Sequence, residues 1–156
     1  MSEPPTPATY LLITGASSGI GREMAVSLSG QYRLILSGRD PGRLQQTRQA
    51  CQAPDRHLCW ARDLADVTTL AQALPAFLRE NDARVTGFVH GAALLKVLPL
   101  RSITIGHALD VLNPNVMAAL GITRLCWART LRQMLETSVR VSMPPFGPGF
   151  RICPEG

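Results

Sequence analysis

The sequence predicts a single α/β domain built on a doubly wound parallel sheet with strand order 3-2-1-4. Three observations predict it. Short apolar runs alternate with segments of helical period along most of the 156 residues, the pattern of parallel strands joined by right-handed helical crossovers. The first run, "YLLIT", leads directly into the glycine-rich turn "GASSGIG" and then a helix, the order found where open α/β sheets take ligands at their strand ends. The length suits one core, and no internal repeat or linker divides the chain. The expected organisation is a short leader over 1–9, a domain over 10–137 and an irregular tail over 138–156.

Taken in order, residues 10 to 14 are a continuous apolar run ending at Gly15, suited to a strand buried on both faces. Residues 19 to 29 place Ile20, Met24 and Leu28 at helical spacing, and Gly30 closes the segment. "YRLILS" over 32 to 37 is the second strand. Asp40 followed by Pro41 is a good helix start, and that helix runs from 41 to 51 with Leu44 on its apolar face. "HLCWA" over 57 to 61 is the third strand. A helix from Val67 to Arg79 carries Leu70, Leu74, Phe77 and Leu78. "VTGFVHGAA", from 85, supplies the fourth strand and a small-residue turn. Two more helices are expected, over 103 to 112 and from Pro114 to Leu135. After Ser138 prolines and glycines break the pattern, and only "VRV" resembles a strand.

The turn at 14 to 21 has a chemical use. Backbone N–H groups at a helix start are unpaired and sit at the positive end of the helix dipole, so a diphosphate fits there. Gly15 permits the tight turn, Gly19 lets phosphates approach the backbone, and Gly21 lets the helix pack against the strand. Ser17 and Ser18 add hydroxyl donors. An ordinary glycine-rich turn is the competing reading, but here the strand, the helix and the next strand all stand in place. The spacing is not that of a nucleophile elbow, which needs G-x-S-x-G.

"TGASSGIG" resembles the T-G-x-x-x-G-x-G motif of the short-chain dehydrogenase/reductase family, and the resemblance runs from about Tyr10 to about Leu135. It implies a Rossmann-like fold and hydride transfer between a nicotinamide dinucleotide and a carbonyl or alcohol carbon. "RDL" at 62 to 64 resembles the motif after the third strand, which gives Asp63 the adenine contact. "VHGAA" at 89 to 93 stands where the family has Asn-Asn-Ala-Gly. His90 and Gly91 therefore replace two asparagines that brace the central strand, and a weaker brace is expected. "LNPNVMAALGITR" resembles the helix of the active-site asparagine, which gives Asn115 a supporting catalytic role. Ile20, Leu64, His90, Gly91 and Ala92 complete the implied dinucleotide-binding set.

The end of the second strand separates the two nicotinamide cofactors. An acidic residue there would accept from a free ribose 2′-hydroxyl; this chain has "SGRD", with Arg39 in position to hold a 2′-phosphate by charge-assisted hydrogen bonds. NADP is expected, and NAD is the weaker alternative. Asp40 is free to cap the next helix.

Reduction of a carbonyl also needs a proton donor for the developing alkoxide. In the family a tyrosine followed four residues later by a lysine supplies it, with a serine upstream. Tyr10 and Tyr32 are the only tyrosines here and Lys96 the only lysine, and none has that spacing. Ser142 falls near the family's serine, but "PPFGPG" follows it. The chain thus reads as a C-terminally truncated family member that binds NADP with impaired catalysis. The alternatives are a non-catalytic NADP-binding or regulatory module and a fragment without function. Whether it is an enzyme stays open at this point.

The remaining features exclude more than they assign. Net charge is +5, carried by arginines scattered from Arg22 to Arg151; with no cluster or aromatic stripe, a nucleic-acid partner is not expected. No apolar run reaches the ~18 residues of a membrane span. Cys51, Cys59, Cys126 and Cys153 form no C-x-x-C pair, so neither a metal site nor a redox motif is expected, and reduced thiols fit a cytoplasmic protein. His57 and His107 read as structural or exposed, and Trp60 and Trp127 as core or interface residues. An open edge at strand four, with the apolar face of the 114–135 helix, is the expected surface for homo-oligomer contacts.

Overall fold

The computed structural model describes residues 8–127. Four parallel strands, β1 (Ala8–Thr14), β2 (Leu34–Gly38), β3 (Leu58–Ala61) and β4 (Ala83–His90), form one sheet in the order β3-β2-β1-β4. Helices α1 (Gly19–Leu28), α2 (Pro41–Ala50), α3 (Val67–Glu80) and α4 (Ile105–Leu112) follow the strands in turn. The order is the one the alternation predicts.

Both faces of the sheet are covered. Leu12, Ile35, Trp60, Leu70, Leu74 and Ile122 make one buried cluster, and Ile13, Ala25, Leu34, Leu36 and Leu44 make the other. Successive residues such as Leu12 and Ile13 are both fully buried because neighbouring side chains of a strand point to opposite faces and helices lie on each. That is why the strands read as unbroken apolar runs.

Local chemistry sets the ends of the elements. Asp40 caps α2, its carboxylate accepting from the Arg43 N–H at 3.0 Å, with Pro41 just inside the helix. His57, buried at the turn into β3, accepts from the Leu34 N–H at 3.1 Å through Nδ1 and donates through Nε2 to the Gln52 carbonyl at 2.8 Å. One imidazole thereby satisfies a backbone donor at the start of β2 that would otherwise be buried unpaired. The structural role expected for His57 is the one observed. His107 is half-buried and closes a capping box with Thr104 at the start of α4.

Several boundaries differ from the expectation. β1 begins at Ala8, inside the expected leader, because Ala8 pairs with Ala83 and its N–H reaches the Asp82 carbonyl at 3.2 Å. β4 accordingly begins at Ala83 rather than 85. Between Tyr10 and Leu11 the register slips by one residue, so that Thr86 bulges and its hydroxyl reaches the Tyr10 carbonyl. β2 starts at Leu34, since Tyr32 and Arg33 stay exposed. Trp60 is buried as expected, whereas Trp127 is 63% exposed.

The largest local departure is at Pro114, which starts no new helix. α4 runs on through a π turn over Asn113–Met117 and continues as helix over 118–127. Proline lacks the N–H that would bond four residues back, and a π turn accommodates that loss within a continuous helix. The expected continuation to Leu135 and the tail over 138–156 lie outside the described residues.

Candidate functional site

A cleft of about 340 Å³ opens at the C-terminal ends of the strands. The glycine turn forms its floor. Gly15 has φ +69, and a Cβ there would come within 2.4 Å of the Gly91 carbonyl oxygen; a Cβ on Gly21 would come within 2.3 Å of the Gly15 oxygen. Only glycine allows the turn, the start of α1 and the end of β4 to approach so closely. The turn is also fastened from two sides. The Ala16 N–H bonds to the Ser37 carbonyl at 3.0 Å, and the Thr47 hydroxyl of α2 donates to the Ala16 carbonyl at 2.9 Å. Ser17 packs against Gly38, where a Cβ would meet its Oγ at 3.0 Å.

Gly19 is different in kind. It has φ +54, yet nothing lies within 4 Å of where its Cβ would be. Its neighbour Ser18, at the N-cap position, makes no side-chain capping bond, and no acidic residue occupies the first turn of α1. The opening amides of this helix are therefore left without a side-chain acceptor and face open space, an arrangement suited to an anion. Ile20, beside them, is 78% exposed and lines the cleft.

The far wall comes from the end of β4. Thr14, fully buried, is the hub. Its carbonyl accepts from the Gly91 N–H at 3.1 Å and its hydroxyl from the Ala92 N–H at 3.3 Å. The hydroxyl proton then points to His90 Nδ1, 2.9 Å away. That assignment puts the imidazole proton on Nε2, which donates to the Pro114 carbonyl at 3.0 Å. The Pro114 carbonyl is available because the Ala118 N–H bonds past it to the Asn113 carbonyl in the π turn. The expected weakening at "VHGAA" is thus corrected: His90 braces β1, β4 and the π turn, joining the Thr14 hydroxyl donor to the Pro114 carbonyl acceptor with one rigid ring. Asn115 spends its amide in a similar way, accepting from the Leu94 N–H at 2.7 Å and donating to the Leu94 carbonyl at 2.9 Å. It fastens the loop after β4 that forms the cleft's rim.

The residues expected to face an adenosine stand at the ends of β2 and β3. Arg39, Asp63 and Leu64 all line the cleft, and Leu64 is buried. One oxygen of Asp63 accepts from the Ala65 N–H at 3.0 Å, which shapes the turn and leaves the other free. Arg62 also lines the cleft and was not singled out by its sequence; its place beside Asp63 in "ARDLAD" was the available signal. The charged lining is two guanidiniums against one carboxylate. A larger groove, about 540 Å³, lies at the opposite sheet end beside Tyr10, Tyr32, Arg33 and Arg56. It includes neither the glycine turn nor a helix start, so volume alone misleads.

The model of the family described as short chain dehydrogenase matches residues 9–139. The chain belongs to the short-chain dehydrogenase family. DnrU of Streptomyces sp. (strain C5), which carries the name daunorubicin C-13 ketoreductase, is 40% identical over 74 residues, covering 44% of this chain and 26% of that protein. Among solved structures, one named as a gluconate dehydrogenase from Agrobacterium tumefaciens superposes with a TM-score of 0.71 at 26% identity, over 82% of this chain and 51% of the other. A 3-oxoacyl (acyl-carrier-protein) reductase from A. tumefaciens C58, solved with NADP bound, gives 0.69 at 20% identity over 82% and 50%. The chain spans about half the length of these solved relatives.

Of the expected dinucleotide-binding residues, Gly15, Ser17, Ser18, Gly19, Ile20, Arg39, Asp63, Leu64, Gly91 and Ala92 share the one cleft. Gly21 and His90 stand behind its walls as packing and bracing residues. Ser142 lies outside the described residues. Among the described residues no group of His, Cys, Asp or Glu could hold a metal ion, and no helix is long and apolar enough to cross a membrane.

Proposed function

We propose that the chain binds NADP in the cleft at the strand ends, as the dinucleotide-binding half of a short-chain oxidoreductase, with hydride-transfer catalysis impaired. One observation carries the reading: α1 opens with uncapped amides beside a Gly19 that has no neighbour within 4 Å. The space a side chain would fill is kept clear at the positive end of a helix, which fits a diphosphate. Ser17 and Ser18 would donate hydroxyls to it, Asp63 would face the adenine, Arg39 would hold the 2′-phosphate in preference to a free ribose of NAD, and Ile20 would cover the dinucleotide from the solvent side. When bound, the nicotinamide supplies or accepts the hydride.

The proton is the difficulty. Tyr10 and Tyr32 line the groove at the opposite end of the sheet, and Lys96 pairs with Asp110 at 2.7 Å. None of them stands at the cleft. That placement favours a second reading beside the first, a non-catalytic NADP-binding or regulatory module. Asn115 keeps a supporting part in either, as the residue that holds the cleft rim.

Self-association is proposed through the β4 edge and the expected 114–135 helix, in whose described part Val116 and Leu120 are exposed, as is Leu112 at the end of α4. Cytoplasmic residence is inferred from cysteines without metal or redox spacing. Titration of the purified 156-residue chain with NADPH and NADH, followed by nicotinamide fluorescence, tests the main reading. Tighter binding of NADPH is expected. A folded sample that binds neither rejects the proposal, and steady ketone reduction would reject the impairment.

A further inference from the structure

The cleft's second arginine has no part in the reading above. We infer that Arg62 is a specificity residue for the adenosine 2′-phosphate, sharing that dianion with Arg39. The inference rests on NADP being the ligand. It starts from register. The β2–β3 ladder ends with Gly38 opposite Ala61, and the Arg62 N–H extends it by one bond to the Gly38 carbonyl at 2.8 Å. Arg39 and Arg62 are the next residues on strands that run about 4.8 Å apart, and both line the cleft.

Two guanidiniums at neighbouring strand ends repel unless something negative lies between them. Of the surrounding carboxylates, Asp63 spends one oxygen on the Ala65 N–H and keeps the other for the adenine side, and the next two are committed elsewhere. Asp40 caps α2 and lies 3.6 Å from Arg43. Asp66 accepts from the hydroxyls of Thr68 and Thr69 at 2.8 and 2.7 Å, bonds that hold its carboxyl below the usual range, and Arg62 reaches it only at 3.9 Å. The Arg62 fork is instead held by the Thr69 hydroxyl at 2.6 Å through one nitrogen. Its remaining N–H groups are left for a ligand, and holding one arm in place reduces the ordering a bidentate phosphate contact would require.

Adenosine 2′,5′-bisphosphate and adenosine 5′-monophosphate differ only in the 2′-phosphate, so the ratio of their dissociation constants isolates it. Calorimetry on the full chain is expected to show a preference for the bisphosphate. Arg62→Gln should cut that preference roughly tenfold to hundredfold and leave monophosphate binding within about twofold; Arg39→Gln serves as the parallel control. If Arg62→Gln weakens both nucleotides equally, or moves neither, the residue only ties β3 to α3 and the inference is overturned while NADP binding stands. A wild-type chain with no preference overturns both. Should Arg62→Gln not fold, Thr69→Val frees the fork at lower risk, and a severalfold smaller preference at unchanged monophosphate affinity is the supporting result. An unaltered preference counts against it.

Discussion

The two flanks of the sheet are held by different forces. On the β2 side, all five strand residues are buried, and α1 and α2 cover them with Ala25 and Leu44 at zero exposure. On the β4 side, nothing after Val85 within the strand is buried, α4 buries none of its residues, and Leu95, Val97, Leu100 and Ile105 are 81–88% exposed. Beyond the buried Ala118 and Ile122, what fastens that flank is polar: His90 to Thr14 and Pro114, Asn115 to Leu94, and Lys96 to Asp110. The glycine turn stands on the apolar flank and borrows its outer wall from the polar one. Apolar burial supplies most of a domain's stability, whereas each hydrogen bond contributes about 1 kcal/mol net. The floor of the cleft is therefore the stable part, and its rim is the part that opens first.

Substitutions at the glycines break that floor most severely. Gly15→Ala places a Cβ against the Gly91 backbone and forces a side chain into positive φ, together costing about 2–5 kcal/mol. Thermal unfolding should shift sharply downward and dinucleotide binding should vanish. Gly19→Ala is the sharper probe. Its Cβ would meet nothing, so only the conformational cost of about 1–2 kcal/mol remains. A chain that stays folded yet loses NADPH binding would separate the ligand role of Gly19 from the packing role of Gly15; equal unfolding in both would erase the distinction.

Next in size is the contrast of Leu36 with Ile105. Leu36 is fully buried, and truncation to alanine should cost roughly 3 kcal/mol. Ile105 is 81% exposed, and the same truncation should cost under about 0.5 kcal/mol in a monomer. Chemical denaturation at two protein concentrations measures both. If Ile105→Ala costs as much as Leu36→Ala, and the more so at higher concentration, the polar flank is covered by a second copy and the asymmetry belongs to the isolated chain alone.

The alternation of apolar runs made the strand order legible because a covered parallel sheet leaves few choices once β1 and its turn are placed. The glycines were legible for the same reason: Gly15 and Gly21 sit where backbones meet, and Gly19 where they do not. What escaped was tertiary in origin. The start of β1 at Ala8 depends on pairing with Ala83, far along the chain. The π turn depends on Pro114 lying inside a helix rather than at its start, a choice that local propensity decides the other way. His90 read as a loss because asparagine is usual there; its compensation needs the Pro114 carbonyl, which only the π turn makes available. Arg62 stands next to Asp63 in the sequence, but only strand register sets it beside Arg39, and that pairing was not legible.

The smallest effect is the one with a pH signature, and it too belongs to the apolar flank. Burial is the main reason the His57 imidazole titrates below its ordinary value of 6.5; the bond to the Gln52 carbonyl opposes the shift, and the nearby Arg56 and Arg48 charges add to it. The folded chain therefore keeps this ring neutral where the unfolded chain takes up a proton. Below the ordinary histidine range the unfolded state binds more protons, so stability falls as the pH drops through that value and is recovered above it. Between about pH 7.5 and about pH 5.5 the melting temperature should decline, and His57→Gln, which lowers stability at both ends, should flatten the decline. A slope that survives unchanged in His57→Gln would rule out His57 as its source.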